Sequence, residues 1–197
     1  MQKRGRRVRR PRLGTTARTA AQTRILDAAL DLIADHGVSG TSLQMIADSI
    51  GVTKAAVYHQ FKTKDEIVIA VAELELAQLE DALAAAQAET DPVQVRKVLL
   101  TQVIEMAVRR RRWVRTLQND PIIVQLLGEH PPFREFISEL YGTLQDERDD
   151  TMARVSAALF SGAIAGTVIN PLLDDIDDAT LCAVLIQLTT RMLELPD

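Results

Sequence analysis

From Val52 to Leu127 the chain has no glycine, and the only proline before Pro121 is Pro92. A stretch of that length without turn-forming residues cannot be cut into short strands, because hairpins need Gly, Asn or Pro at set positions. It demands long helices. The composition agrees: nine glycines, seven prolines and 4% aromatic residues in 197 positions argue against sandwiches, barrels and collagen-like repeats. Ala and Leu, which long helices favour, fill much of the remainder. With 47% apolar and 25% charged residues, the chain reads as globular and soluble. The single cysteine, Cys182, excludes an internal disulfide and a cysteine-rich zinc site. His36, His59 and His130 lie too far apart for metal-ligand spacing, so neither a metal nor a cofactor is expected.

The net charge of −4 conceals a division of sign along the chain. Residues 1–64 carry 12 Lys/Arg against 4 Asp/Glu, whereas residues 65–197 carry 11 against 23. A basic front and an acidic rear point to a polyanion partner for the front alone. Lys3, Arg4, Arg6, Arg7, Arg9, Arg10, Arg12 and Arg18 stand in a stretch with no acid before Asp27 and no apolar face. Residues 1–18 therefore read as a disordered basic arm, either a solvated tail or a contact along a nucleic-acid backbone. Its twin arginines are not followed by an apolar export segment, so a cytoplasmic protein is expected.

The spacing next predicts three helices. Ile25, Ala28, Ala29, Leu32 and Ile33 recur at helical intervals from Arg24, and Gly37 is placed to end that helix in the left-handed region. Thr41 with Gln44 reads as a capping box for a short second helix that Gly51 stops. Thr53 caps a third helix with Ala56 and Val57 inward and Tyr58 and Phe61 near its end, and Thr63 with Glu66 forms a further box opening a long fourth. Two short helices about a glycine turn make a helix-turn-helix, whose second helix can enter a major groove.

Residues 24–67 resemble the DNA-binding domain of the TetR family. The resemblance rests on Arg24-Ile25-Leu26-Asp27-Ala28-Ala29, Ile46-Ala47, Gly51-Val52-Thr53 and the run Tyr58 to Ile67. It implies an all-α protein with a head at 19–66 and a ligand-binding and dimerisation bundle at 67–197. It also implies DNA-contacting roles for Thr41, Ser42, Gln44, Thr53, Lys54, Ala55, Ala56, Tyr58, His59, Gln60 and Lys64. Ser42, Tyr58, Gln60 and Lys64 fall at phosphate positions, and Lys54 with the two alanines at the exposed start of the reading helix. The chemistry suits those roles: lysine donates to guanine O6 and N7, and alanine methyls meet thymine methyls. Three positions depart from the family's habit. Gln44 replaces a common arginine, Gln60 a His or Tyr, and Met45 an acid.

The rear reads as a helical bundle. One helix is predicted over Lys64–Thr90 with Ile67, Val71, Leu74 and Gln78 on a face. Another is predicted from Asp91-Pro92 to about Arg112, with Val95, Leu99, Gln102, Met106 and Trp113 on a stripe. Arg109 to Arg112 form either a solvated helix end or a clamp for an acidic ligand or second polyanion. Gln102, Met106, Trp113, Leu117, Phe133, Phe136 and Tyr141 are the candidate lining of an effector pocket, or simply core. By resemblance an inducer binds among these helices. Val155–Leu173 lacks charges but is too polar and broken for a membrane span. Asp174–Asp178 reads as a loop and cap, without the EF-hand glycine and glutamate. Leu159, Gly162 and Gly166 on one helix, with Leu181, Leu185 and Leu188 on the last (about 178–195), are expected to pair across a two-fold axis as a homodimer.

No nucleophile–base pair, metal cluster or phosphate-cradling loop occurs, so no enzyme and no catalytic residue is expected. The expected function is sequence-specific transcriptional regulation: a repressor released from a palindromic DNA operator by a small molecule. The competing readings are a ligand-independent architectural DNA binder and an all-helical enzyme.

Overall fold

The computed structural model describes residues 13, 17–145 and 151–193, apart from the side chains of residues 153 and 154. The described residues form ten α-helices and one 3₁₀ turn, with no strand among them. The protein is all-α.

The head begins with α1 (Ala20–Gly40), four residues earlier than the apolar pattern predicts. Thr19 sets that start: its hydroxyl accepts from the Gln22 amide at 3.2 Å while the Gln22 side chain accepts from the Thr19 amide at 3.0 Å. The helix is interrupted where expected, at Gly37 with φ 70°, a conformation that L side chains avoid. After it come α2 (Leu43–Ser49) and α3 (Lys54–Gln60), joined through Gly51 at φ 69°. The cap of α2 differs from expectation. Ser42, not Thr41, accepts from the Met45 amide, and the Gln44 side chain donates to Asp48 at 2.7 Å. Thr41 is held by the preceding turn, its hydroxyl donating to the Gly37 carbonyl at 2.8 Å. Thr53 and Thr63 cap α3 and α4 as expected, but Glu66 accepts from the Lys62 amide at 2.7 Å, one residue before the cap.

The body is built on α4 (Lys64–Ala86), which ends four residues sooner than predicted. It is buried on several sides, with Ile67, Val68, Val71, Ala72, Leu76, Leu79 and Leu83 inside and Gln78 exposed. The predicted helix from Pro92 to Arg112 is two helices, α5 (Pro92–Arg109) and α6 (Arg111–Asn119), broken at Arg110. The remainder is α7 (Pro121–Glu129), α8 (Pro131–Leu144), α9 (Thr151–Val168), a turn at Pro171–Leu173 and α10 (Asp178–Met192). Pro92, Pro121 and Pro131 each stand at a helix start, where a missing N–H costs nothing.

The break at Arg110 distributes the arginine run in four directions. Arg109 pairs with Glu105 of its own helix, Arg110 with Glu75 of α4, Arg111 with Asp178 of α10, and Arg112 with Asp31 and Asp35 of α1. The run is a junction between helices instead of one solvated end or one clamp.

A second tie fixes the head on the body. Asp120, between α6 and α7, accepts from the Val38 amide at 2.6 Å through one oxygen and from the Ile122 amide at 3.0 Å through the other. Around it, Trp113, Ile123 and Leu127 of the body join Leu26, Ile33, Ile46, Val57 and Ile67 in one continuous apolar cluster.

Residues 1–12 and 14–16 of the expected disordered arm lie outside the described residues. Leu13 does not behave as a free tail. It is 2% exposed, packs with Leu76, Leu79, Leu83, Met106 and Phe136, and its amide donates to Glu80 at 2.7 Å. Arg18, further on, pairs with Glu73. Leu13→Ala is therefore expected to destabilise the protein by about 2 kcal/mol, the low end for a buried leucine because a terminal segment can readjust. Urea unfolding followed by circular dichroism measures it. A loss below about 0.5 kcal/mol, the range of an ordinary surface substitution, would mean that Leu13 anchors nothing.

Candidate nucleic-acid interface

Val57 is the only buried residue of α3. It holds the helix on the head core with Ile46 and Ala47 of α2, so that the remaining side chains of α3 stay outside. Lys54, Ala55 and Ala56 are exposed on its first turn, Ala56 contrary to the inward position expected of it, and Tyr58 and His59 on its second; Gln60 is half-buried. At a rise of 1.5 Å per residue seven residues span about 10 Å, a segment that a major groove about 12 Å wide can admit. Thr53 is exposed beside Lys54, its hydroxyl accepting from the Ala56 amide at 3.2 Å.

The structure divides the remaining candidates. Ser42 and Gln44 are exposed on the same head, although the Gln44 amide is already engaged with Asp48. Reading adenine would require Gln44 to exchange that bond for two on the base. Thr41 is 2% exposed, with its hydroxyl committed inward, and so leaves the set of surface contacts. Lys64 is half-buried and also has partners within the head. Its Nζ donates to the Val38 carbonyl at 2.7 Å and the Thr41 carbonyl at 3.2 Å, closing the turn between α1 and α2. A basic residue at a phosphate-like position thus serves as a clasp within the head.

Sequence reasoning passed over Lys62. This exposed lysine donates to the Tyr58 and His59 carbonyls, both at 3.4 Å, and lies 5.8 Å from the Tyr58 ring centroid. It completes the C-terminal end of α3 with a positive charge. Its position between an aromatic and a capped helix start was the available signal. Arg24, whose guanidinium donates to the Ile50 carbonyl at 3.0 Å, adds another cation beside the Gly51 turn.

The candidate pocket residues do not form one group. Met106 and Phe136 are buried together with Tyr141 at their edge, while Trp113 and Leu117 belong to the cluster at the head; Phe133 borders both. Gln102 is half-buried on α5. The break at Arg110 lies between the two sets, with Met106 before it on α5 and Trp113 after it on α6. The Tyr141 hydroxyl is hydrogen-bonded to Ser161 of α9 at 2.8 Å.

The expected pairing surface is likewise divided. Leu159, Gly162, Gly166 and Leu188 are exposed, but Leu181 and Leu185 lie in the protomer's own core against Leu100, Ile104 and Ile164. Val184 and Met192 take their place on the outer face of α10. Among the described residues no helix is long and apolar enough to cross a membrane, and no group of three or more His, Cys, Asp or Glu could hold a metal ion.

Residues 25–71 match the family described as bacterial regulatory proteins, tetR family. A curated relative, the HTH-type transcriptional regulator AcrR of Shigella flexneri, is 38% identical over 101 residues, 49% of this chain and 47% of its own length. The match thus spans about half of that relative. In three dimensions the chain is similar to the fatty acid degradation regulator FadR of Bacillus halodurans, with a TM-score of 0.69 at 19% identity, over 88% of this chain and 96% of that one. It is also similar to FadR of Bacillus subtilis in complex with stearoyl-CoA, with a TM-score of 0.65 at 20% identity, over 88% and 96%. At those identities the likeness is one of fold.

Proposed function

We propose that this chain, whose residues 25–71 match the tetR family, is a sequence-specific DNA-binding regulator: a homodimeric repressor that a small apolar molecule releases from its operator. The observation that carries this reading is α3, which buries Val57 and presents Lys54, Ala55 and Ala56 outward on a capped first turn. We assign base reading to these three, backbone contact to Ser42, Thr53, Tyr58, His59, Gln60 and Lys62, and effector binding to the body beyond residue 66. A palindromic operator follows from the two-fold axis, and the cytoplasm from the location of bacterial DNA.

The release mechanism follows from the joint. A ligand between the body helices can change operator affinity only by favouring one arrangement of the heads over another. Arg112, Trp113 and Asp120 all lie on or beside α6 and all reach the head, so a displacement of α6 is transmitted to α1 and to the Gly37–Val38 corner.

Selection of bound DNA fragments tests the reading. A single palindromic motif is the expected result; broad AT-rich binding would instead favour the architectural role. Within that motif, Lys54→Ala should relax preference at one base pair at a cost of about 1–3 kcal/mol. Equal loss across all single-base variants would remove Lys54 from base reading. Lys64→Met should behave differently. Removal of a charged donor from two carbonyls should cost about 2 kcal/mol of head stability, with the salt slope of DNA binding unchanged. A slope lowered by about one unit without loss of stability would return Lys64 to the phosphate contacts.

A further inference from the structure

The N-terminal segment is seated at two points on one stripe of α4. Arg18 pairs with Glu73 at 3.4 Å, and the Leu13 amide donates to Glu80 at 2.7 Å. Two turns of helix separate Glu73 from Glu80, so they share a face about 10 Å apart along the axis. From Arg18 back to Leu13 the seats therefore advance toward the C-terminal end of α4. Leu13 is buried there in the cluster of Leu76, Leu79 and Leu83 of α4 with Phe136 and Leu140 of α8. Two turns further along the same stripe, Gln87 donates to Glu139 of α8 at 3.1 Å. Beyond Leu13 the stripe thus meets an acidic edge, made of Glu80 and the exposed Asp81 on α4 and the half-buried Glu139 on α8.

The chain that precedes Leu13 suits that edge in charge. Residues 1–12 carry seven Lys/Arg and no acid. One exposed ion pair contributes little, but several acting together from an anchored start contribute more. Position argues in the same direction. The reading helix α3 adjoins the start of α4, where its Val57 shares a cluster with Ile67 and Val68. Since α4 starts at Lys64, Glu80 lies about 24 Å along it from that end. An arm serving DNA alone has no reason to be fixed there, on the body and away from α3. A solvated tail would leave Leu13 in water, whereas it is 2% exposed.

We propose that this edge of α4 and α8, next to the seat of Leu13, is a docking surface for the protein's own basic arm, residues 1–12, and that the docked arm is withheld from DNA. The acidic edge then competes with DNA phosphates for the same cations. The assignment rests on the reading of the head as a DNA-binding unit. An arm freed from the edge adds phosphate contacts to those of the head, so undocking strengthens DNA binding and makes it more sensitive to salt.

Two full-length variants undock the arm by different routes. Leu13→Ser removes the apolar anchor. The combined Glu80→Gln, Asp81→Asn and Glu139→Gln variant removes the charge but keeps acceptors for the Leu13 amide and Gln87. Trypsin digestion followed by mass spectrometry reads docking directly, because cleavage tracks the population of the open form. Both variants should be cut within residues 1–12 about fivefold faster than wild type or more. The charge variant should be cut no faster beyond residue 19, which separates undocking from unfolding, and it decides alone if Leu13→Ser does not fold. Both should also bind a labelled random-sequence duplex about threefold more tightly or more at low salt, with a salt slope steeper by about two units. Equal arm cleavage in wild type and variants would overturn the assignment, and so would DNA affinity and slope that stay unchanged or fall once the arm is freed. Operator selection by the wild type separates the two claims. An unprotected arm in a protein that selects one palindromic motif overturns the docking alone. A protected arm in a protein that selects no motif supports the docking and overturns the regulatory reading.

Discussion

Gly162→Arg is expected to give a folded monomer that has lost operator binding by about a thousandfold, the lower bound of the gap between specific and non-specific binding. The argument begins with the outer surface of the last two long helices. Leu159 is 68% exposed and Leu188 49%, with Val155, Val184 and Met192 also outside. Gly162 and Gly166 lie on the Leu159 side of α9, and among the described residues nothing stands within 4 Å of a Cβ added to either. An apolar surface rimmed by small residues on neighbouring helices is suited to a second copy of itself. Among the described residues nothing crowds a Cβ at Gly162, and replacing an exposed helical glycine should strengthen α9 by a few tenths of a kcal/mol or more. Circular dichroism of the variant separates loss of the dimer from unfolding. One seven-residue reading helix buries too little on DNA for strong specificity, so affinity should fall with the dimer. Sedimentation and operator binding of the variant decide the matter. A stable dimer of normal affinity would place the interface on another face.

The second large effect concerns Asp120. Its two oxygens serve two chains of structure, the Val38 amide of the head and the first turn of α7. Removal of the carboxylate deletes a helix cap worth about 1 kcal/mol and leaves the Val38 N–H without its partner at about 1–3 kcal/mol. Asp120→Ala should thus lower stability by about 3 kcal/mol in denaturant unfolding. A functional signature should accompany it: with the corner released, effector binding should no longer weaken operator binding, although the effector itself still binds. Asp120→Asn, which keeps one acceptor, should fall between the two. If Asp120→Ala retained full coupling between effector and operator, the path would run through Arg112 and the Trp113 cluster without Asp120. Gly37 belongs to the same corner. Its φ of 70° disfavours a side chain, and an added Cβ would stand 3.2 Å from the Asp120 carboxylate.

The residues that misled sequence reasoning share a trait. Lys64, Arg110, Arg111 and Arg112 each had a plausible local role, and each finds a partner on another element of the fold. Lys64 finds carbonyls 26 and 23 residues away, and Arg112 an acid 77 residues away. Long cationic side chains reach any acceptor that the fold brings near, so local context constrains them little. Leu181 and Leu185 misled for a related reason. Their helical spacing shows that they share a face, but not whether that face meets the same protomer or its copy.

What the sequence by itself determined is the set of features that depend on neighbours within a turn. Thr53, Thr63, Asp91 and Asp177 cap helices because a short oxygen-bearing side chain finds backbone amides two or three residues on. Gly37 and Gly51 turn because they alone lack the Cβ that forbids a positive φ. The exposed start of α3 was legible for the same reason, since a short capped helix with one inward valine has no other way to lie. Only the tertiary structure decided the break at Arg110, the placing of Trp113 and Met106 in different clusters, the burial of Leu13 and the clasp of Asp120 on Val38. Those depend on groups far apart in sequence, 82 residues for the Val38–Asp120 bond alone, whose meeting is set by the packing of whole helices and not by the chemistry of any one segment.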